Sequence, residues 1–477
     1  MNGTIAPEPI EVIHMPCASR PLVQRMAELG VTALVCLSVL APGLHINSDL
    51  PFVRPEQLLL PVIAVIYGWL LLAGYARTIR LSGMFIVASI YCICVLSSIW
   101  YGANILGHAP VARDFYEIPK ALLPLAFFVV AYESDLSERS LRLVLKTFSF
   151  AILLVCLYAW AQSRNLSIAS ELNEYYSSGE HVDVMLAAIG RVYSTMGNPN
   201  VLGQLMSWSI PAFTMAFVFR LGSRAFNALM TLSCLITLAL TESRYGLLTS
   251  GLGVVLSCLL SAGPRRRRIV RLGLLLLLLP VFGWTFVSVT NTNQHAAARL
   301  HSLRDPLQTD SLRGRVDIAW PEAVSAFEKS ALLGNGPAKS YFKWTITDSE
   351  YLVILKQFGV IGFLAYLGLF AYPLVLSWRG LRAARAADPL LEELLPATFL
   401  IARLSVTMIV TALVMNVGES TFLNFLLQGF LWTWMGLGAR SARTIAEFSG
   451  WYGLRYSHMG DVGVDARRGF LAASGAE

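Results

Sequence analysis

The chain has 477 residues, 55% of them hydrophobic and only 14% charged, with a formal net charge of +7. Soluble domains carry about 25% charged residues, so this composition excludes an ordinary soluble enzyme and points to a polytopic membrane protein. The surplus arginines fall between apolar segments, where positive charge sets orientation, and do not form a nucleic-acid footprint.

A membrane-crossing helix needs about 20 mostly apolar residues. On that rule twelve segments qualify: 26–44, 57–76, 82–100, 118–133, 147–163, 200–220, 225–241, 245–262, 270–290, 350–377, 394–415 and 421–438. The first has no small-residue cleavage site behind it and reads as a retained anchor, not a signal peptide. The least regular is 394–415, because Arg403 lies within it. Six cysteines (Cys36, Cys92, Cys94, Cys156, Cys234 and Cys258) sit in apolar segments and Cys17 precedes the first of them. Neither a disulfide framework nor a metal-ligand spacing is indicated.

With the N-terminus inside, Arg77 and Arg80, Arg139, Arg142 and Lys146, Arg220 and Arg224, Arg265 to Arg268, and Arg379, Arg382 and Arg385 all fall on the inner side, joined by Arg440 and Arg443. That agreement fixes the expected topology. An inner segment 1–25 leads into nine membrane helices over 26–290, with a shorter outward segment at 101–117 and an outward loop at 164–199. A large outward loop at 291–349 follows, then three helices over 350–438 and an inner tail at 439–477 that is expected to be disordered. Within the large loop, 315–330 reads as an amphipathic helix, with Val316, Ala319, Trp320, Ala323, Val324 and Phe327 at helical spacing. Such a helix suits the membrane surface, as a lid or interfacial element.

Polar chemistry concentrates on the outward side. Arg191 lies in a loop directly before the Gly197-Asn-Pro-Asn200 helix start, with Asn198 or Asn200 as candidate cap. A guanidinium beside a helix N-terminus favours phosphate; the alternative is an ion pair with Asp183 or a solvated loop. Arg244 occupies a very short outward turn between two apolar helices. Charge there is expensive and usually serves a site or partner; the alternative is pairing with Glu242 or snorkelling. Arg313 and Arg315 open the helical part of the large loop, and one of them is placed to reach an anionic ligand. Lys120, preceded by Asp114 and Glu117, begins an outward-facing helix, an unfavourable place for a cation unless an anion is near. Asp348 ends the large loop and reads both as a helix cap and as a carboxylate able to take a proton from a hydroxyl. Glu350 is two residues on and points elsewhere, which disfavours a paired-carboxylate glycosidase. His181, His295 and His301 read as loop residues before catalysts.

The ordered motifs resemble the O-antigen ligase and polysaccharide polymerase superfamily of bacterial inner-membrane proteins. They are Arg191 to Asn200, Thr241-x-Ser-Arg-x-Gly246, Arg315 and Trp320 before Leu333-Gly-Asn-Gly336, and Asp348-Ser349 ahead of Gly359-Val-Ile-Gly362. The resemblance covers roughly residues 60–437. It implies an all-α polytopic protein with about twelve membrane helices, a large periplasmic loop and the architecture of GT-C-like glycosyltransferases. It further implies an undecaprenyl-pyrophosphate-linked glycan donor, with an acceptor hydroxyl on another glycan or on lipid A-core. Other polysaccharide assembly proteins are possible partners, and no cofactor, metal or nucleic acid is called for. Arg191 and Arg244 would neutralise the pyrophosphate, with Arg315 as a third candidate and Arg313 and Lys120 as further substrate-binding candidates. Where ligases place histidine this chain has Asp348, which favours a polymerase over a ligase. A flippase is the competing class; against it stands the lack of a visible half-to-half repeat, with Arg403 the one candidate midplane charge.

Overall fold

The computed structural model describes residues 20–42, 55–72, 83–134, 136–176, 190–260, 314–342, 347–386, 390–419 and 425–456. Among them every regular element is helical. In chain order these are α1 (Arg20–Leu40), α2 (Pro55–Leu72), α3 (Gly83–Asn104), α4 (Glu117–Glu133), α5 (Glu138–Ser163), α6 (Ser167–Tyr176), α7 (Pro199–Val218), α8 (Arg224–Thr241) and α9 (Arg244–Leu260). After these come α10 (Trp320–Lys329), α11 (Glu350–Ala386), α12 (Leu390–Leu394), α13 (Pro396–Met415) and α14 (Phe425–Tyr456).

Seven described helices are long and apolar enough to cross a membrane: Gly83–Asn104, Ala112–Glu133, Glu138–Ser163, Pro199–Val218, Arg224–Thr241, Glu350–Ala383 and Pro396–Met415. Each overlaps a segment anticipated from hydropathy. Helices α1, α2, α9 and α14 overlap four more, while 270–290 lies outside the described residues. Helices α7 and α13 run through the middle of the bundle, buried along most of their lengths. The outer helices instead expose large apolar side chains such as Ile86, Ile93, Leu157, Leu229 and Leu364. An apolar exterior around a packed interior suits a lipid surrounding.

Small residues bring the helices close. A Cβ on Gly246 would lie 2.9 Å from the carbonyl oxygen of Gly203, and one on Gly380 would lie 2.2 Å from that of Ala442. Without a hydrophobic drive between helices in lipid, such close backbone packing supplies much of the association.

Helix α11 is broken at Gly359, whose backbone is left-handed and non-helical (φ 64°, ψ −169°). The Leu333-Gly-Asn-Gly336 segment plugs the break. Asn335 and Gly336 donate their backbone N–H groups to the carbonyls of Lys356 (3.0 Å) and Gln357 (2.9 Å). Val360 and Ile361 donate back to Ala331 (2.8 Å) and Leu332 (3.3 Å). Ser98 of α3 also donates to the Gln357 carbonyl and accepts from the Gly336 N–H at 2.9 Å. Irregular backbone at membrane depth survives only where every polar group is satisfied in this way. The approach demands glycine: a Cβ at Gly334 or Gly359 would sit 2.3 Å from a backbone oxygen of the other strand.

Two expectations are corrected. The tail from 439 is not without structure, since α14 continues to Tyr456. Ala439, Ala442 and Ile445 recur at helical spacing and are buried, the last two against Leu381, Phe399 and Val406. Residues beyond 456 lie outside the described ones. The amphipathic helix begins with a π-helical turn, Gly314–Ala319, before α10. That wide turn rotates the face, so Ala319, Ala323 and Ala326 are buried while Val316 and Val324 are exposed.

Candidate active site

Several helix ends meet at one end of the bundle. Asn198 caps α7, its side chain accepting the Asn200 N–H at 2.8 Å, with Pro199 opening the helix. Helix α8 stops at Thr241; Glu242 takes a left-handed conformation (φ 53°), and α9 starts at Arg244. Helix α11 starts at Glu350, whose N–H donates to the Asn416 carbonyl (3.0 Å) at the end of α13. The start of α9 lies against that same end, because a Cβ on Gly418 would fall 1.9 Å from the Tyr245 ring. Three helix N-termini therefore share one neighbourhood, each presenting the positive end of its dipole.

Arg191 is built into this junction. Its Nε donates to the Thr241 carbonyl at 2.8 Å, a terminal carbonyl that α8 leaves without a helical partner, and its Nη2 donates to Asn200 Oδ1 at 2.7 Å. The loop that carries it is itself tied down. Tyr193 and Ser194 donate their N–H groups to Gln162 (3.2 and 2.7 Å), Ser194 Oγ donates to the Val155 carbonyl, and Thr195 Oγ1 to that of Val39. A buried loop needs such bonds for every polar group. The result is a fixed guanidinium, buried at the head of α7.

Arg315, in the π-helical turn, forms an ion pair with Asp348 across the large loop; the Asp348 side chain remains 46% exposed. Asp348 therefore does not cap the following helix through this contact. The residue before α11 is Ser349, whose carbonyl accepts the Val353 N–H at 3.1 Å. Tyr351 also ties α11 to α13 by donating its hydroxyl to the Leu413 carbonyl.

Glu419 completes the cluster. It ends the turn after α13, half-buried, and hydrogen-bonds Asn200, the same side chain that Arg191 holds. Burial pushes its carboxyl up to about 7, with Asp348 adding to the rise and Arg315, Arg191 and Asn200 opposing it. No rule of topology singles out an acidic residue in a short turn between apolar segments. The signal available was a lone carboxylate just beyond an apolar segment.

The remaining candidates are placed differently. Arg244 is exposed at the first turn of α9, in the same junction by virtue of its neighbour Tyr245. Lys120 belongs to another group: it and Lys339 both contact Glu117 Oε1, at 2.8 and 2.6 Å. The anion that its position required is thus Glu117. Glu350 is fully buried and turned inward, as its spacing from Asp348 suggested. Arg403 lies in the second turn of α13 and pairs with Glu392 at 2.8 Å. Arg313, His181, His295, His301 and Asp183 lie outside the described residues.

The comparisons with known proteins bear on this same region. One similar protein, from Halomonas elongata, carries the name "Probable peptidoglycan glycosyltransferase FtsW"; it is 28% identical over 166 residues, or 34% of this chain. The match spans 39% of that protein's length. Residues 229–367, which include Arg244, Arg315 and Asp348, match the family model described as O-Antigen ligase. That match supports placing the chain with the O-antigen ligase and polysaccharide polymerase superfamily, as its motifs imply.

Proposed function

We propose that the chain is a glycosyltransferase of the inner membrane that acts at the periplasmic face on undecaprenyl-pyrophosphate-linked glycan. The family match points to transfer chemistry of the ligase or polymerase type. The single observation that carries the reading further is the junction of helix N-termini around Arg191, with Arg315, Asp348 and Glu419 beside it. Fixed guanidinium groups at positive helix ends suit a departing pyrophosphate, since donors placed in advance need no rearrangement as charge develops. Arg244, exposed at the mouth of the same junction, would meet the donor from the water side. The full topology of about twelve spans, with 291–349 outward, agrees with this placement but rests on charge distribution alone.

The acceptor hydroxyl attacks the anomeric carbon from the face opposite the pyrophosphate, so the configuration inverts. A carboxylate takes the hydroxyl proton. Sequence position nominates Asp348, and the aspartate in place of histidine favours growth of a polymer over transfer to lipid A-core.

The test is genetic and chemical together. Cells lacking the chain should accumulate single lipid-linked repeat units and lose long polymer; complementation by the wild type restores polymer and by Arg191→Ala or Arg244→Ala does not. Restored polymer of full length and yield with both variants would refute the site. Product appearing only as single units on lipid A-core would assign a ligase, and loss of outward movement of the units would assign a flippase.

A further inference from the structure

Two carboxyls lie in the junction, and their surroundings differ. Asp348 has one oxygen taken by the Arg315 guanidinium and a side chain 46% exposed. Glu419 is held on a turn fixed from three sides. The carbonyl of Asn416 accepts from the Glu350 N–H at 3.0 Å, its side-chain amide donates to the Tyr366 hydroxyl at 2.6 Å, and Gly418 presses against Tyr245. The Glu419 N–H itself donates to Met415 at 2.9 Å, which sets the direction in which the residue leaves α13.

The groups that face Glu419 come from every element around it. Arg191 and Asn200 act on its carboxyl from the head of α7, Arg315 from the π-helical turn and Asp348 from the end of the large loop. Tyr245 packs beside it from α9, with Arg244 one residue before, and Glu350 and Tyr351 of α11 bond the backbone of α13's end. A carboxylate so placed shares the junction with the guanidinium that would hold the pyrophosphate, which Thr241 and Asn200 fix in place. Burial also keeps its proton affinity near the working pH, where a general base transfers protons most effectively.

We infer that Glu419, not Asp348, accepts the proton of the attacking hydroxyl, and that Asp348 serves to position Arg315. This rests on the transferase reading. In the step, the hydroxyl oxygen bonds to the anomeric carbon as that carbon's bond to the pyrophosphate oxygen breaks. The hydroxyl proton passes to the Glu419 carboxylate, and the lipid pyrophosphate leaves with the bonding electron pair, facing Arg191 and Arg315. Glu419 then releases its proton to water.

The experiment uses the full chain in membranes and, as donor and acceptor, the lipid-linked repeat unit extracted from cells that lack it. Initial rates of chain growth are followed from pH 5 to 9. The wild-type rate should rise with pH and level off near 7. Glu419→Gln should lower it by about 10²–10⁴-fold and abolish the rise, with KM for the donor within about threefold. Asp348→Asn should slow the reaction yet keep the rise, and raise KM through the misplaced Arg315. Glu419→Asp, which keeps the carboxylate, should restore part of the rate and a pH rise, and it decides the matter if the glutamine variant does not fold. A Glu419→Gln enzyme within threefold of wild type, or a pH rise lost in Asp348→Asn and retained in Glu419→Gln, overturns the assignment alone. No transfer by the wild type, either to a repeat unit or to added lipid A-core, overturns the transferase reading and the assignment with it.

Discussion

Helix α13 meets charge at both of its ends, and the two ends use it differently. At its start, the Glu138 carboxylate accepts the N–H groups of Ala397 (2.8 Å) and Thr398 (3.1 Å) and the Thr398 hydroxyl (2.8 Å). Nearby, Arg403 pairs with Glu392 and lies over the rings of Phe219 and Phe399. These charges close on groups that the fold itself supplies, as a cap and a buried pair should. At the other end, Asp348 and Glu419 share one junction with Arg191, Arg244 and Arg315, and burial pushes the Glu419 carboxyl up to about 7. A merely structural carboxylate gains nothing from a proton affinity matched to the working pH, whereas a proton acceptor does.

Substitutions at the two ends should therefore separate activity from stability. Beyond Glu419 itself, the largest effect is expected at Arg191, where alanine should cut transfer by roughly 10²–10³-fold, about 3–4 kcal/mol, while the protein remains in the membrane. Lysine should not rescue it, because one ammonium cannot reproduce a fork that spans Thr241 and Asn200. At the opposite end, Arg403→Ala leaves Glu392 without its partner and should cost about 3 kcal/mol of stability, read by thermal unfolding in detergent, with turnover per folded molecule unchanged. Glu138→Ala removes a helix cap and should cost about 1 kcal/mol, again without touching turnover.

The smallest effect is the most discriminating. Because the folded state raises the Glu419 proton affinity, it binds more protons than the unfolded chain between the ordinary glutamate range near 4.5 and about 7. The contribution of this residue to stability thus falls as pH rises through that window, and is level above it. Activity should climb across the same window. Opposite slopes in the two measurements, both flattened by Glu419→Gln, would tie them to one group; parallel slopes would break the contrast between the ends of α13.

Much of this was readable from the chain and some was not, for identifiable reasons. Apolar runs report membrane helices directly, so the described spans coincide with hydropathy segments. Arg191 stood out because it precedes a helix start, and Arg244 because charge in a very short turn between apolar helices is expensive. Arg315 and Asp348 were each recognisable, but nothing local reveals that they meet across the loop between them. Glu419 owes its character to α7, α9, α11 and the large loop, none of them its sequence neighbours. Gly334, Gly336 and Gly359 announce turns, yet what a glycine permits to approach it is known only in three dimensions.

The plug in α11 limits how residues 331–336 can move. Swinging residues 331–336 away would expose four backbone pairs, those of Asn335, Gly336, Val360 and Ile361 with their carbonyl partners, inside an apolar bundle. Each buried group left unmade costs about 1–3 kcal/mol, so full detachment is far beyond thermal reach. Residues 331–336 are consequently anchored like a door frame, not hung like a door. On the proposed function, glycan and lipid would come and go around a fixed wall, and the donor's tail would approach sideways, from the bilayer, between helices.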